Sequence, residues 1–314
     1  LDEGMQLKLR NLETFRLFAQ TESVTETARL MRISQPAVSQ VLKDLEDQVG
    51  VPLFKRIGRG LHLTPEARLL LPEVERLTSQ IANVRDCALS LRDGQGGSLV
   101  VGCIPTLAQS ILPQAIAGLR SIKPNVRLHI KSYTATEISR QVRLESADIG
   151  TTFLPINDAG VRTEPLLRTA ITCLVPKTSP LARERLITPQ QLQNECVIAQ
   201  GPETPPGFVL RDYLKQAGLD DWPTLEVNQS IISLSLAEQG IGVALSHPLV
   251  LSTMNSSKVT AVPFEPQIPL TLALVYPRHR EASIHVGDFV RILKNTLSEI
   301  SKDLTSRGLP CEML

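Results

Sequence analysis

One change of period constrains this chain more than any other feature. Up to about residue 92 the apolar residues recur at helical spacing. From Ser98 onward short apolar runs alternate with helical stretches. Between the two regimes lies Asp93-Gly94-Gln95-Gly96-Gly97-Ser98, a break and hinge. A chain of 314 residues with this organisation is expected to form about two domains. Hydrophobic residues make up 42% and charged residues 21%, a globular balance that excludes wholesale disorder. No apolar run reaches the roughly 18 residues of a membrane span, so no membrane partner is expected.

The five cysteines, Cys87, Cys103, Cys173, Cys196 and Cys311, are odd in number, widely spaced and form no CxxC pair. They argue against a disulfide scaffold or a zinc ribbon and suit a reducing cytoplasm. The start, Leu1-Asp2-Glu3-Gly4-Met5, is polar and acidic, unlike a signal peptide, and Met5 reads as the natural first residue. Net charge is only +1, so nucleic-acid binding would need a local patch. One exists: from Arg29 to His62 six lysines and arginines outnumber three acids.

Leu12, Phe15, Leu17, Phe18 and Ala19 form an apolar helical pattern ending near Thr21. Thr25 or Ser23 can cap a second helix carrying Ala28, Leu30 and Met31. Ser34 then suits the N-cap of a third helix over Gln35–Val49, with Pro36 in its first turn and Gly50 after its last. Val38, Val41, Leu42 and Leu45 face inward; Ser34, Gln35, Ser39, Gln40 and Lys43 face outward. Two short helices and a tight turn before a helix with a polar N-terminus describe a helix-turn-helix. Gln can bridge adenine N6 and N7, and Ser can reach a base or phosphate. The glycine-turned segment from Val51 to Leu63 reads as a two-stranded wing, with Arg56 and Arg59 near phosphates or a minor groove. On periodicity alone, a small bundle with a solvated polar face fits equally well.

The segment SVTETARLMRISQPAVSQVLKDLEDQVGVPLFKRIGRGLHLTPEA resembles the DNA-binding segment of LysR-type transcriptional regulators. The family skeleton is met at Ala28, Ser34, Gln35, Pro36, Ala37, Ser39, Leu45, Glu46, Gly50, Leu53, Phe54, Arg56 and Thr64. Thr27 departs from a usual alanine, and Pro65-Glu66-Ala67 from a usual Glu-Ala-Gly. The resemblance implies a winged helix-turn-helix over 5–65, with Ser34, Gln35, Pro36, Ala37, Ser39, Gln40, Lys43, Arg56 and Arg59 at double-stranded DNA. The operator it implies is an interrupted palindrome.

Leu70, Val74, Leu77, Ile81, Val84, Ala88 and Leu91 follow one another by alternating steps of four and three, an a/d seam in a helix over 66–93. Its stripe must be covered, by its own domain or by another chain. The resemblance implies the second, with these seven residues dimerising a linker helix. Pro72 is expected to kink or loosen one turn.

Beyond Ser98, strands are expected at Leu99–Ile104, Val126–Tyr133, Asp148–Phe153, Ile171–Val175, Val197–Ala199, Leu225–Asn228, Gly242–Ser246 and Leu270–Tyr276. Helices are expected at Ile111–Ile122, Glu137–Glu145, Gly207–Ala217, Ile231–Gln239 and Ser283–Asp303. This alternation means an α/β fold with mainly parallel sheets. The resemblance implies a two-lobed effector domain over 94–304, like periplasmic binding proteins. Lobe one would hold 98–167 and 267–304, lobe two 168–266, and a tail 305–314. Ligand residues should lie where strands end and helices begin. Thr106, Leu107, Thr134, Thr152, Phe153, Gln200, Phe208 and Ser230 are the candidates, six of them by resemblance. Thr106, at a helix N-terminus, suits a carboxylate.

An enzyme is a poor fit: the chain has no HExxH, GxSxG or GxxxxGK[ST], and Ser246-His247-Pro248 gives no triad by itself. No cofactor or metal is expected. A cytoplasmic solute-binding protein would explain the last two-thirds but not the head or the heptads. The reading is a ligand-responsive bacterial transcription factor, and the resemblance implies a homo-oligomer, a dimer of dimers, that meets RNA polymerase. The segment GRGLHLTPEARLLLPEVERL resembles the branch of lysine-biosynthesis and opine-catabolism regulators, which points to an amino-acid-like effector.

Overall fold

A computed structural model describes residues 7–58, 60–92, 96–217, 224–253, 258–279 and 282–314. The chain divides into two compact units, Leu1–Asp86 and Cys87–Leu314.

The first unit begins with three helices, α1 (Leu9–Thr21), α2 (Val24–Met31) and α3 (Gln35–Val49). Leu12, Phe15, Phe18, Ala28, Val38, Leu42 and Leu45 bury against one another as its core. Ser23, not Thr25, caps α2 by accepting from the Glu26 N–H at 3.3 Å. Gly50 ends α3 at φ +78°, the left-handed conformation that favours glycine. Thr27 is buried, and its hydroxyl is satisfied: it donates to the Ser23 carbonyl at 2.8 Å and meets Thr21 Oγ1 at 2.9 Å. The wing is a hairpin of β1 (Phe54–Ile57) and β2 (Gly60–Leu63), antiparallel with Phe54 opposite Leu63. Glu46 fastens it to α3, since Glu46 Oε1 accepts from the Leu53 and Phe54 N–H groups at 2.8 Å each.

Thr64 starts the long helix α4 (Pro65–Arg92), accepting from the Ala67 N–H at 3.2 Å and donating to the Pro52 carbonyl at 2.9 Å. The helix continues through Pro72. Its apolar seam is not uniform. Val74 is 3% exposed and joins the core of its own unit, with Leu70 packed beside it. Leu77, Ile81 and Val84 are 44%, 37% and 68% exposed, and Ala88 is exposed. The expectation that the whole seam faces another chain therefore fails at Val74, which its own unit takes up, while Leu70 is half-buried beside it. Their turn lies against the head, whose core would otherwise be open there. The side chain of Leu91 and residues Asp93, Gly94 and Gln95 lie outside the described residues.

The second unit runs β3 (Ser98–Cys103), α5 (Pro105–Ser110), α6 (Leu112–Ile122), β4 (Arg127–Ser132), α7 (Ala135–Arg143), β5 (Ile149–Phe153) and β6 (Val161–Ala170). It continues with β7 (Thr172–Pro176), β8 (Val197–Gln200), α8 (Pro205–Gln216), β9 (Leu225–Val227), α9 (Ser230–Glu238), β10 (Val243–Ser246) and β11 (Val259–Pro263). It ends with β12 (Pro269–Pro277), α10 (Ile284–Ser306) and β13 (Cys311–Met313). One lobe is a six-stranded sheet in the order β13-β6-β12-β5-β3-β4, the other a five-stranded sheet in the order β11-β7-β10-β8-β9. The chain passes between them from β6 to β7 and back from β11 to β12.

Three expectations need correction. The sheets are mixed: β3 is parallel to β4 and β5, but β12 is antiparallel to β5 and β6, because the strands around the crossovers run against the others. Strands β6, β11 and β13 and helix α5 were not expected. Residues 305–314 are no tail. Helix α10 extends to Ser306, and β13 pairs with β6, Cys311 opposite Thr169. The Thr169 hydroxyl donates to the Pro310 carbonyl at 2.7 Å, and the Ser301 and Thr305 hydroxyls donate to the Cys311 carbonyl at 3.0 and 2.7 Å. These bonds cover a sheet edge that would otherwise be open.

Candidate nucleic-acid interface and effector cleft

In the first unit the physics of α3 sets what the surface offers. Val38, Leu42 and Leu45 hold one side of the helix in the core, so the opposite side faces solvent. Ser34, Gln35, Pro36, Ser39, Gln40 and Lys43 are exposed there, and Ala37 is half-buried. Ser34 is occupied as the N-cap, accepting from the Ala37 N–H at 3.4 Å. Gln40 donates to Asp44 Oδ1 at 2.7 Å on its own helix. Gln35, Ser39 and Lys43 make no side-chain hydrogen bond among the described residues. Arg56 is exposed on β1, beside Lys55. Arg59 lies outside the described residues. The result is a polar helix face and a basic strand on one small unit.

In the second unit a cavity of about 500 Å³ opens between the lobes. Ile104, Thr106, Thr134, Thr152 and Phe153 line it from the six-stranded lobe, and Gln200, Glu203, Thr204, Asn228 and Ser230 from the other. Three helices of eight or more residues begin at its wall. Thr134 caps α7, Thr204 caps α8, and Gln229 precedes α9 without a side-chain cap. The start of α8 lies hard against β8: a Cβ on Gly207 would stand 2.0 Å from the Gly201 carbonyl oxygen. Among the described residues, Glu137 and Glu203 are the charged ones in the lining, and no lysine or arginine joins them. Glu137 already pairs with Arg140 at 3.0 Å.

Six of the eight expected cleft residues meet at this cavity: Thr106, Thr134, Thr152, Phe153, Gln200 and Ser230. Two do not. Leu107 is 2% exposed and packs with Ile111, Leu112, Leu272 and Leu293 inside the six-stranded lobe. Its side chain points the other way because residues 105–110 are already helical, so neighbours in sequence face apart. Phe208 is 53% exposed and lines an adjoining depression of about 520 Å³ with Pro155, Ile156 and Asp158, which shares Ala135, Glu203, Thr204 and Pro205 with the cavity. One turn into α8, it has rotated off the cavity wall.

Sequence reasoning missed His247. It is fully buried, and its Nε2 lies 2.9 Å from Ser230 Oγ, which lies 3.1 Å from Thr106 Oγ1. The imidazole also packs against the Phe153 ring, with centroids 4.6 Å apart and 46° between the tilted planes. A serine bonded to a histidine invites comparison with a hydrolytic site. The comparison fails here, because burial pushes His247 down to about 3, too weak a base near neutral pH. Its Nδ1 also has no hydrogen-bond partner among the described residues, so no carboxylate orients the ring. Two further buried lining atoms, Thr152 Oγ1 and Gln200 Oε1, have no partner among the described residues. Among those residues no cluster suits a metal ion, and no helix is long and apolar enough to cross a membrane.

Residues 9–68 match the family described as "Bacterial regulatory helix-turn-helix protein, lysR family", and residues 92–298 match "LysR substrate binding domain". The regulatory protein NocR of Agrobacterium fabrum is 27% identical over 294 residues, 94% of this chain and 98% of that protein. The octopine catabolism/uptake operon regulatory protein OccR of Rhizobium meliloti is 31% identical over 242 residues, 77% of this chain and 80% of that protein. Full-length CbnR complexed with its target DNA shares the fold, with a TM-score of 0.67 at 15% identity, covering 92% of this chain and 100% of that one. With the two units matched in order along one chain, this protein belongs to the LysR family of helix-turn-helix transcriptional regulators.

Proposed function

We propose that α3 reads operator DNA through Ser34, Gln35, Pro36, Ala37, Ser39, Gln40 and Lys43, with Arg56 and Arg59 at phosphates or in a minor groove. The cleft between the lobes takes a small amino-acid-like effector. The observation that carries this reading is the convergence of Thr106, Thr134, Thr152, Gln200 and Ser230 on one cavity. Hydroxyls and helix N-termini suit a carboxylate, and the carboxylates of Glu137 and Glu203 suit an ammonium or guanidinium group. The family likeness to the octopine regulator supports the same class. Effector binding biases lobe closure, and the lobes set the placement of the DNA heads in the oligomer.

The working form in this reading is cytoplasmic, a dimer through Leu77, Ile81, Val84, Ala88 and Leu91 of α4, paired again into a dimer of dimers. It binds an interrupted palindrome and meets RNA polymerase at the promoter. A gel shift with an operator fragment tests the DNA half, since a solute-binding protein leaves the fragment unshifted. A thermal-shift screen of amino acids and small acids tests the effector half.

A further inference from the structure

The lining of the cleft poses a question of hydrogens. Among the described residues it holds no lysine or arginine, so hydroxyl and amide donors are what they offer an anionic ligand group there. Thr106 and Ser230 carry one hydroxyl proton each, and the bond between their oxygens uses one of the two. Where the other goes depends on His247. If His247 accepts from Ser230, the Ser230 proton is spent on the ring and the Thr106 proton on Ser230. The pair then shows the cavity only lone pairs. If the proton sits on Nε2, the ring donates to Ser230, and one hydroxyl proton is left for the cavity.

The surroundings of the ring favour the second arrangement. Nδ1 is buried and has no hydrogen-bond partner among the described residues. A proton there would be an orphaned buried N–H, which proteins avoid more strictly than an unused acceptor. The Nε2–H form is also the commoner tautomer of the free side chain. Burial keeps the ring neutral, holding its pKa down to about 3. Phe153 fixes the ring plane from the opposite lobe.

We propose that His247, with its proton on Nε2, is a positioning residue of the cleft: it turns the Ser230–Thr106 pair into a net donor and so fits this end of the cavity for a carboxylate or another hydrogen-bond-accepting group. Two independent features point the same way. Helix α9, nine residues long, begins at Ser230 without a side-chain cap, leaving its first N–H groups toward that end. Thr152, fully buried, offers a further unpartnered hydroxyl to the same cavity. The ligand class rests on the cleft being the effector site, whereas the tautomer does not, so the two are tested apart.

The test is magic-angle-spinning NMR of the sedimented full-length protein labelled with 13C,15N-histidine. The chain has five histidines, and His247 is the fully buried one. The expected spectrum contains one neutral ring with a protonated Nε2 and a bare Nδ1, unchanged from pH 8 to pH 5. That signal disappears in His247→Gln, and its Nε2 resonance moves in Ser230→Ala, which assigns it even if His247→Gln does not fold. A His247 ring carrying its proton on Nδ1, or one that becomes charged above pH 5, overturns the proposal. An effector that later proves to bind with equal affinity to Thr106→Val would refute the cleft as its site and leave the tautomer standing.

Discussion

The hydroxyl oxygens of Thr106 and Ser230 lie 3.1 Å apart, although 124 positions separate them in the chain. One belongs to α5 of the six-stranded lobe, the other to the first turn of α9 in the five-stranded lobe. A ligand that engages either hydroxyl therefore acts on the contact between lobes, and its differential affinity is what shifts their closure. Thr106→Val keeps the branched shape and removes only the hydroxyl. Loss of one hydrogen bond to a buried polar ligand group costs roughly 1–3 kcal/mol, so effector binding should weaken about tenfold or more. Operator binding without effector should persist, because the residues of α3 that read DNA belong to the other unit. Calorimetry with an effector from the thermal-shift screen, and a gel shift on the same protein, measure the two halves.

On the DNA side, Gln35→Ala and Ser39→Ala should lower preference for the specific site while the DNA-free fold persists. Neither side chain has a hydrogen-bond partner among the described residues to lose. A side-chain contact to a base edge is worth roughly 1–3 kcal/mol. Arg56→Ala should weaken binding to all sequences and lower the salt slope by about one. Unchanged sequence preference in Gln35→Ala would mean that a different face reads the bases.

How much of this was legible in the sequence depended on how locally each feature is encoded. Ser34, Pro36 and Gly50 mark the ends of α3 through cap chemistry that acts within a few residues, and the structure has the helix where those signals set it. Strand β6 was hidden because Pro165 interrupts it, and a proline usually argues against a central strand. It is tolerated beside the irregularity at Leu272/Ala273 in the pairing with β12. Strand β13 is three residues long, too short for alternation to register. Within the cleft, strand ends pointed to Thr106, Thr134 and Thr152. They could not separate Thr106 from Leu107, because that depends on the helical turn of α5. His247 was unreadable as a cleft residue, since only tertiary packing carries it to Ser230 and Phe153.

The uneven burial of α4 gives a graded prediction for assembly. Ile81→Glu or Val84→Glu puts a charge on the exposed part of the seam, where burial in a dimer would be costly. Sedimentation should show the oligomer dissociating while each unit stays folded, and affinity for a two-half-site operator should collapse. Val74→Glu should instead damage the head itself, because Val74 is 3% exposed within its core. An unchanged oligomer in Ile81→Glu would mean that the stripe packs within its own chain.

Glu46 offers a test of the joint between α3 and the wing. Glu46→Ala leaves the Leu53 and Phe54 N–H groups without their acceptor. An unsatisfied buried donor costs roughly 1–3 kcal/mol. Urea denaturation followed through the head should show a loss of that order, with DNA affinity falling because the wing is no longer anchored. Glu46→Gln, which keeps an acceptor oxygen, should recover much of the stability.

The burial of His247 makes the stability of the second unit depend on pH in a predictable direction. In the unfolded chain the imidazole takes a proton near its ordinary value of 6.5, and in the fold only at about 3. Between those values the unfolded state binds more protons, so stability falls as pH falls, from about 6.5 downward. The loss accumulates at about 1.4 kcal/mol per pH unit, which is about 2 kcal/mol by pH 5. His247→Gln removes this proton uptake and leaves the other titrating groups in place. Urea titrations of both proteins at pH 7.5 and pH 5, followed through the second unit, should therefore show a smaller acid-induced loss in the variant by about 2 kcal/mol. Equal losses in the two proteins would mean that His247 takes up its proton in the folded state, and that the neutral ring between Phe153 and Ser230 does not persist in acid.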